Sequence, residues 1–318
     1  MKNSYDIVTC ISNNHLEIGI RAIRSLIELS EAKRIFIITP KKNINFFKQN
    51  FPKENSLIIL DEDKIIPNIK LTDVANTLRE YGGKAERAGW YFQQFLKMNI
   101  SRYPNLSEYY LIWDSDTVML KKIKFFDESN KLIINTSKEF HKPYFQTIKN
   151  FGLLKTNNFS FISEHMLINS KIMNDLISLI EKANSKNLSW VKTVISQINK
   201  EHLNETGSGF SEFETYGTYL SKYHPNSFVT NKLKSCRNTY SLFGKHNQIN
   251  TFLILRFYGY YWASFENWDL KTQNFKNLRL IRIFNNLVAN FLIIFINITN
   301  SYKHNFEFSR YLAMPLLK

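Results

Sequence analysis

The chain has 318 residues, enough for one large domain or for one domain with an extension, and its 44% hydrophobic and 15% aromatic content excludes a disordered protein. With 42 basic and 27 acidic residues it carries a net charge of +15, which favours an anionic partner such as a phosphate-bearing ligand, an acidic membrane surface or nucleic acid. Two cysteines, Cys10 and Cys236, provide neither a disulfide framework nor a zinc pattern, so we expect a reducing compartment.

Hydropathy also bears on location. The opening residues, MKNSYDIVTCISNN, contain no apolar signal-peptide core, and no stretch reaches about 18 uninterrupted apolar residues, the length typical of a transmembrane helix. We therefore expect a cytoplasmic protein.

The first sixty residues alternate between strand and helix patterns. Strands are predicted at Tyr5–Ile11, Arg34–Thr39 and Ser56–Leu60, and helices at Glu17–Leu29 and Phe46–Phe51. This alternation is typical of βαβ units, which form a mostly parallel sheet covered by helices.

Polar residues follow two of these strands. In open α/β sheets, ligands bind beyond the carboxyl ends of the strands. We therefore expect Thr9, Ser12 and Asn13, at the end of the first strand, and Asp61, after the third, to contribute to a ligand site.

A helical pattern over Lys84–Ser101 follows a loop predicted at Gly82–Gly83. Arg87, near its start, is placed to reach a phosphate, or it is an exposed helix arginine. Gln94 is a sugar contact or a packing residue.

The stretch YYLIWDSDTVML, Tyr109–Leu120, ends a buried strand on Asp114 and Asp116. Residues i and i+2 of a strand share a face, so the two carboxylates are expected to point together, with Ser115 opposite. Such a pair suits Mn²⁺ or Mg²⁺, with phosphate oxygens and water completing the shell. The alternative is an Asp-rich turn whose side chains cap backbone amides.

Later in the chain the patterns are shorter. We expect strands at Lys131–Asn135 and Ser163–Ile168, and helices at Lys171–Lys182, Ser189–Lys200 and Phe210–Tyr223. Glu164 and His165, in the second of these strands, are candidates for contact with a substrate, although a lone histidine is more often simply hydrogen-bonded.

The last of these helices begins with FSEFETYG. One interpretation is structural: Ser211 is the N-cap, and Glu214 completes a capping box. The functional interpretation makes Glu212 or Glu214 a general base acting on an acceptor hydroxyl.

Taken in order, RAGWYFQQFLKM, YYLIWDSDTVML, SEHMLI and FSEFETYG resemble bacterial glycosyltransferases of the GT-A type and, more narrowly, the family DUF6492. The resemblance covers roughly residues 4–245. It implies a Rossmann-like nucleotide-sugar fold, a D-x-D pair that holds metal and diphosphate, and a functional role for Glu212 and Glu214.

This resemblance implies transfer of a sugar from a nucleotide donor, expected to be a UDP-sugar, to a glycan acceptor in cell-surface polysaccharide or lipopolysaccharide synthesis. Inversion is preferred over retention, because a well-placed carboxylate allows a single displacement. Two alternatives stay open: a nucleotidyltransferase-type sugar-phosphate enzyme, and a non-enzymatic basic protein that binds membrane or nucleic acid. Against the second, no nucleic-acid-binding module is visible in the sequence.

We place the glycosyltransferase domain at residues 1–235 and a basic, aromatic, helical extension at residues 236–318. Leu278–Ile298 is either a buried helix or a helix in the membrane interface. In the second case the enzyme would be peripheral on the inner face of the cell membrane.

Overall fold

The computed structural model describes residues 4–183, 188–204, 209–243 and 248–266, together with residues 287, 288 and 291. The elements in chain order are β1 Tyr5–Cys10, α1 Leu16–Leu29, β2 Ile35–Thr39, α2 Ile44–Asn50, β3 Leu57–Asp61, α3 Leu71–Glu80, α4 Ala88–Asn99, β4 Tyr109–Trp113, β5 Thr117–Met119, β6 Leu132–Asn135, α5 Lys142–Lys149, β7 His165–Asn169, α6 Ser170–Lys182, α7 Trp190–Ser196, α8 Lys200–Asn204, α9 Glu212–Tyr223, β8 Phe228–Asn231, β9 Ser235–Cys236, α10 Thr239–Phe243, α11 Gln248–Phe257 and β10 Trp262–Ser264.

The chain divides into two compact units. The first consists of Met1–Ser115 and Lys124–Lys232, and the second of Asp116–Ile123 and Leu233–Lys318. The division at residue 235 that the sequence suggested stays a prediction.

The first unit contains a five-stranded sheet in the order β3-β2-β1-β4-β7. β1, β2, β3 and β4 are parallel, and β7 runs antiparallel to β4. The mixed α/β fold with a mostly parallel sheet is therefore confirmed. Every residue of β1 and β2 is buried, which explains their nearly continuous apolar runs.

Helix α4 lies at the centre of the first unit. It packs against β1, α3, α6 and α9. Nine of its twelve residues are buried, Gln94, Lys97 and Asn99 among them. A helix that is buried nearly all round carries polar side chains only where they find partners, so its polar residues mark the interior contacts that organise the site.

Two predicted elements differ from the structure. The predicted helix Ser189–Lys200 ends early: α7 stops at Ser196, because the amides of Gln197 and Ile198 bond three residues back, and a separate helix, α8, begins at Lys200. The predicted strand Ser163–Ile168 begins only at His165, because Glu164 has a φ of +60° and interrupts the extended backbone.

The second unit contains a three-stranded sheet in the order β5-β10-β9. β10 pairs with β5 antiparallel and with β9 parallel. The amide of Phe265 donates to the carbonyl of Asp116, and the hydroxyls of Thr117 and Ser264 lie 2.9 Å apart. The first eight residues of this unit are thus tied to its C-terminal part by backbone and side-chain bonds.

The predicted helix Leu278–Ile298 lies outside the described residues apart from residues 287, 288 and 291. Among the helices that the structure does describe, none combines the length and the apolar character needed to span a bilayer.

Candidate functional site

The order of the strands singles out one place on the sheet. β2 and β3 lie on one side of β1, and β4 lies on the other. The winding therefore reverses between the neighbouring parallel strands β1 and β4, and ligands of doubly wound sheets bind at the carboxyl ends of such a strand pair. The chain leaves β4 at Trp113, so Asp114 is the first residue beyond this edge.

A buried lysine joins two carboxylates there. Lys97 Nζ lies 2.5 Å from Asp114 Oδ1 and 2.8 Å from Glu212 Oε1. The side chains of Lys97 and Glu212 are 4% and 5% exposed, whereas that of Asp114 is 27% exposed. Three elements, α4, the end of β4 and α9, thus meet through one ammonium group, and Asp114 is its solvent-facing partner.

The protonation states follow from burial and charge. Burial lowers the pKa of Lys97, but Asp114 and Glu212 raise it more, so Lys97 stays an ammonium. Burial raises the pKa of Glu212, which Lys97 opposes and Asp114 reinforces, and the net shift is upward. One cation is shared between two carboxylates, so the attraction of Lys97 does not offset the effects of burial and of Asp114 on the pKa of Glu212.

Other ionisable groups surround this cluster. Burial raises the pKa of the Cys10 thiol to about 12, and the charges of Lys97, Glu62, Glu212 and Asp114 also act on it. Burial, followed by the charges of Asp63 and Asp61, raises the pKa of Glu62 to about 7. Glu62, after β3, and Asp114, after β4, therefore both act on Cys10, the last residue of β1.

His15 borders the cluster on the β1 side. It ends a short 3₁₀ turn, Asn13–His15, and its Nδ1 lies 3.4 Å from the hydroxyl of Ser115. Burial lowers the pKa of His15, and the charge of Asp114 opposes that shift. The loop after β1 and the turn after β4 thus meet through His15 and Ser115.

The start of α9 is fixed by α4 and by its own cap. The amide of Glu212 donates to Gln94 Oε1 at 3.1 Å, and the amide of Gly209 donates to the Tyr91 hydroxyl at 3.1 Å. Ser211 Oγ accepts from the amide of Glu214, so the predicted N-cap is confirmed. Gln94 is buried and orients the backbone at Glu212.

The two glutamates of α9 have different surroundings. Glu212 faces Lys97, whereas Glu214 accepts from Lys155 Nζ at 2.9 Å, from Ser160 Oγ at 2.5 Å and from the Phe161 amide at 2.8 Å. The carboxylate of Glu214 therefore binds the chain segment before β7. The sequence had suggested that this carboxylate completes a capping box at the start of α9.

The remaining donor-site candidates lie around the same strand ends. Ser12 and Asn13 are exposed in the loop after β1, and Asn13 Oδ1 accepts from Asn43 Nδ2 at 2.9 Å. Asp61 caps a 3₁₀ turn by accepting from the amide of Asp63. Thr9 is buried within β1, and its hydroxyl has no hydrogen-bond partner in the described part of the chain.

Arg87 lies at the start of α4, and its guanidinium carbon is 5.1 Å from the ring centroid of Trp90. Its Nε is buried without a hydrogen-bond partner among the described residues. A half-buried guanidinium with an unsatisfied donor fits an anion-binding role.

Glu164 and His165 adjoin the site from β7. The carbonyl of Glu164 accepts from the amide of Asp114 at 3.0 Å. His165 is 2% exposed, stacks on Trp113 and accepts at Nε2 from Asn135 Nδ2 at 3.0 Å. Burial lowers the pKa of His165 to about 3. In this arrangement His165 supports Trp113 from within the core, and Glu164 supports Asp114 through its backbone.

The local backbone differs from the expected D-x-D strand. β4 ends at Trp113, and residues 115 and 116 form a turn, so the strand rule that placed both carboxylates on one face does not apply. The bond of Asp114 to Lys97 leaves its side chain partly exposed, which fits a single oxygen ligand for a hard cation. In the described ranges, no group of three or more His, Cys, Asp or Glu side chains is placed to hold a metal ion.

Lys97 and His15 were not identified from the sequence. The signal for Lys97 was a lysine between Leu96 and Met98 in a helix with little polar surface. The signal for His15 was its place in the polar loop directly after the first strand.

Residues 12–255 match the model of a family described as "Family of unknown function (DUF6492)". The chain belongs to this family. The resemblance found in the sequence motifs is confirmed at that level, and the match spans both Lys97 and the two glutamates of α9. No curated protein matches this DUF6492 chain.

Three solved structures are similar to this DUF6492 chain. Mouse xyloside xylosyltransferase 1 in its apo form is 13% identical with a TM-score of 0.43, over 74% of this chain and 87% of that chain. The galactosyltransferase LgtC in complex with donor and acceptor sugar analogs is 10% identical with a TM-score of 0.42, over 82% of this chain and 86% of that one. The apo-form glycosyltransferase GlyE of Streptococcus pneumoniae TIGR4 is 11% identical with a TM-score of 0.40, over 92% of this chain and 63% of that chain.

Proposed function

We propose that the protein is a GT-A type glycosyltransferase that moves a sugar from a nucleotide-sugar donor to a glycan acceptor. The observation that carries this proposal is the buried Lys97, which joins Asp114 to Glu212 at the carboxyl ends of β1 and β4. Ligands of doubly wound sheets bind at this edge, and a carboxylate such as that of Glu212 can take part in proton transfer.

The donor nucleotide would lie along the polar ends of β1 and β3. Ser12 and Asn13 are exposed there, and the His15–Ser115 contact closes the side toward Asp114. Arg87, with its unsatisfied Nε, is the proposed phosphate contact from the start of α4. A uridine diphosphate sugar is the donor that we propose.

Asp114 would face the donor diphosphate through a divalent cation. We propose Asp114 and Asp116 as the residues that hold Mn²⁺ or Mg²⁺, on the strength of their oxygen donors and of the exposure of Asp114. When bound, the cation would neutralise the diphosphate and assist its departure.

Glu212 would act on the acceptor. The raised pKa of Glu212 makes its carboxylate a stronger base, which favours a role as general base. In an inverting transfer, Glu212 would take the proton of the acceptor hydroxyl while the acceptor oxygen attacks the anomeric carbon and the nucleoside diphosphate leaves. Lys97 would hold the carboxylate in place until the acceptor arrives.

The acceptor and the location are finer proposals. We propose a glycan of the cell surface, such as a polysaccharide or lipopolysaccharide intermediate, and attachment to the inner face of the cell membrane through the basic extension. The net charge of +15 supports an anionic surface as a partner.

The proposal is tested by incubating the protein with a panel of nucleotide sugars and measuring release of the nucleoside diphosphate, with and without Mn²⁺. We expect one donor to be turned over or slowly hydrolysed. Glu181→Gln, in an exposed pair with Arg102, is the control for a harmless charge loss. If no donor is bound or hydrolysed under any condition, the glycosyltransferase assignment is wrong.

A further inference from the structure

The first turn of α9 carries two buried glutamates that point to different parts of the protein. Successive residues of a helix are rotated by about 100°, so Glu212 and Glu214 are separated by about 200°. Glu212 faces Lys97 at the end of the sheet, and Glu214 faces Lys155. One helix start therefore serves two separate ion pairs.

Glu214 has a full set of donors. Its side chain is completely buried, and it accepts from one ammonium, one hydroxyl and one backbone amide: Lys155, Ser160 and Phe161. A buried carboxylate needs such partners, and three donors on two oxygens fix the orientation of the Glu214 side chain.

Lys155 is equally enclosed. Its side chain is 6% exposed, and its Nζ lies 4.6 Å from the ring centroid of Phe161, 5.5 Å from that of Phe159 and 5.6 Å from that of Phe145. An ammonium among three rings needs a carboxylate partner, because neither charge can be solvated there. The pair therefore fixes residues 155–161 against α9.

The helix surface is shaped to receive this segment. A Cβ on Gly217 would lie 2.2 Å from the ring of Phe161, so the ring is seated where only glycine leaves room. Ser160 also exchanges two backbone hydrogen bonds with Ser137, at 2.9 and 3.0 Å. Phe161 and Ser160 are thus held from both sides.

The segment then runs directly to the site. Three residues after Phe161 the chain reaches Glu164, whose φ of +60° is uncommon for a residue with a side chain. The carbonyl of Glu164 accepts from the amide of Asp114 at 3.0 Å. A strained residue persists only when its surroundings hold it, and Glu214 bonds Ser160 and Phe161, which lie four and three residues before Glu164.

We propose that Lys155 and Glu214 are positioning residues: they hold the segment 155–164 so that the Glu164 carbonyl fixes the backbone of Asp114. This inference rests on the proposed function in so far as Asp114 serves the donor. It assigns the two glutamates of the motif separate tasks, Glu212 toward the reaction and Glu214 toward the support of Asp114.

The test uses Lys155→Met, Glu214→Gln and the double variant in the full chain. Hydrogen exchange at the amides of Phe161 and Asp114 is followed by mass spectrometry, next to donor turnover. We expect each single variant to speed exchange at the Asp114 amide by about tenfold or more, and the double variant to recover part of the protection, because no charge is left unpaired. Glu181→Gln is expected to leave exchange at Asp114 unchanged.

Turnover separates the alternatives. For a positioning pair, Lys155→Met and Glu214→Gln lower kcat together and in proportion to the loosening at Asp114. If Glu214→Gln abolishes turnover while Lys155→Met changes neither turnover nor exchange, Glu214 acts on the substrate and the proposal is wrong. If the variants only lower the free energy of unfolding and leave exchange at the Asp114 amide unchanged, the proposal is also wrong. Absence of any donor turnover would defeat the proposed function but leave the exchange result readable.

Discussion

Lys97 Nζ lies 2.5 Å from Asp114 Oδ1, so the carboxylate at the end of β4 is bonded to a lysine of the helix that precedes that strand. The same ammonium reaches Glu212, 115 residues further along than Lys97 itself. This single contact point ties α4, β4 and α9 together, and the proposed donor and acceptor sites share it.

Lys97→Met should destabilise the fold strongly. It leaves the buried Glu212 and the partly buried Asp114 without their cation, and removal of one member of a buried pair costs about 3–5 kcal/mol. Urea denaturation measures the free energy of unfolding. The control is Arg102→Gln, which breaks an exposed pair with Glu181 and should cost no more than about 1 kcal/mol. Equal effects of the two variants would contradict the buried role of Lys97.

Glu212→Gln should lower the rate of sugar transfer by about 10²–10⁴-fold, because an amide cannot take the proton from the hydroxyl of the glycan acceptor. The amide oxygen can still accept from Lys97, so the thermal midpoint should change less than in Lys97→Met. Initial rates with saturating donor measure the effect. Full activity of Glu212→Gln would remove Glu212 from the mechanism and favour a retaining reaction.

Stability should fall in mild acid because of His165. Burial lowers its pKa to about 3, and the unfolded chain has the ordinary value of 6.5, so below that value the unfolded state binds the proton and the folded state does not. Going from about pH 7.5 to about pH 5, His165 should contribute a loss of about 2 kcal/mol in the free energy of unfolding.

The matched variant for this prediction is His165→Gln, which does not titrate. Unfolding of both proteins in urea at the two pH values isolates the contribution of His165 from that of the other groups. Parallel losses in the wild-type protein and the variant would show that His165 takes up a proton in the folded state.

Gly217→Ala should destabilise the first unit, because the added Cβ would meet the ring of Phe161 at 2.2 Å. Overpacking of this kind costs about 1–3 kcal/mol. Gly89→Ala on α4 is the matched control, since a Cβ there meets nothing within 4 Å. That substitution should be neutral or stabilising by up to about 1 kcal/mol through helix propensity. Thermal unfolding distinguishes the two, and a harmless Gly217→Ala would contradict the close seat of Phe161 on α9.

Local patterns were sufficient to predict the first half of the fold. The apolar runs of β1, β2 and β3 and the helical spacing of α1 predicted parallel βαβ units, because each element buries a face within its own short segment. Ser211 as the N-cap of α9 was equally local. The two-helix break at Gln197 and the positive φ of Glu164 depend on neighbours elsewhere in the chain, so no local pattern revealed them.

The candidate site shows the same limit. Asp114 and Glu212 stood out as carboxylates at the ends of predicted elements, but their common partner Lys97 lies 17 residues from one and 115 from the other. Glu212 and Glu214 could not be told apart in the sequence, because only the packing of α9 decides which of them meets Lys97 and which meets Lys155.

The central claim is that a nucleotide sugar binds at the end of β4 through Asp114. Its most direct test is calorimetric titration of uridine diphosphate sugars, with and without Mn²⁺, into the wild-type protein and Asp114→Asn, which keeps the shape of the side chain and removes its charge. We predict that the wild-type protein binds one donor in the presence of Mn²⁺. The Asp114→Asn variant, once circular dichroism has verified that it is folded, should lose this metal-dependent binding. Equal donor binding by the two proteins would contradict the account.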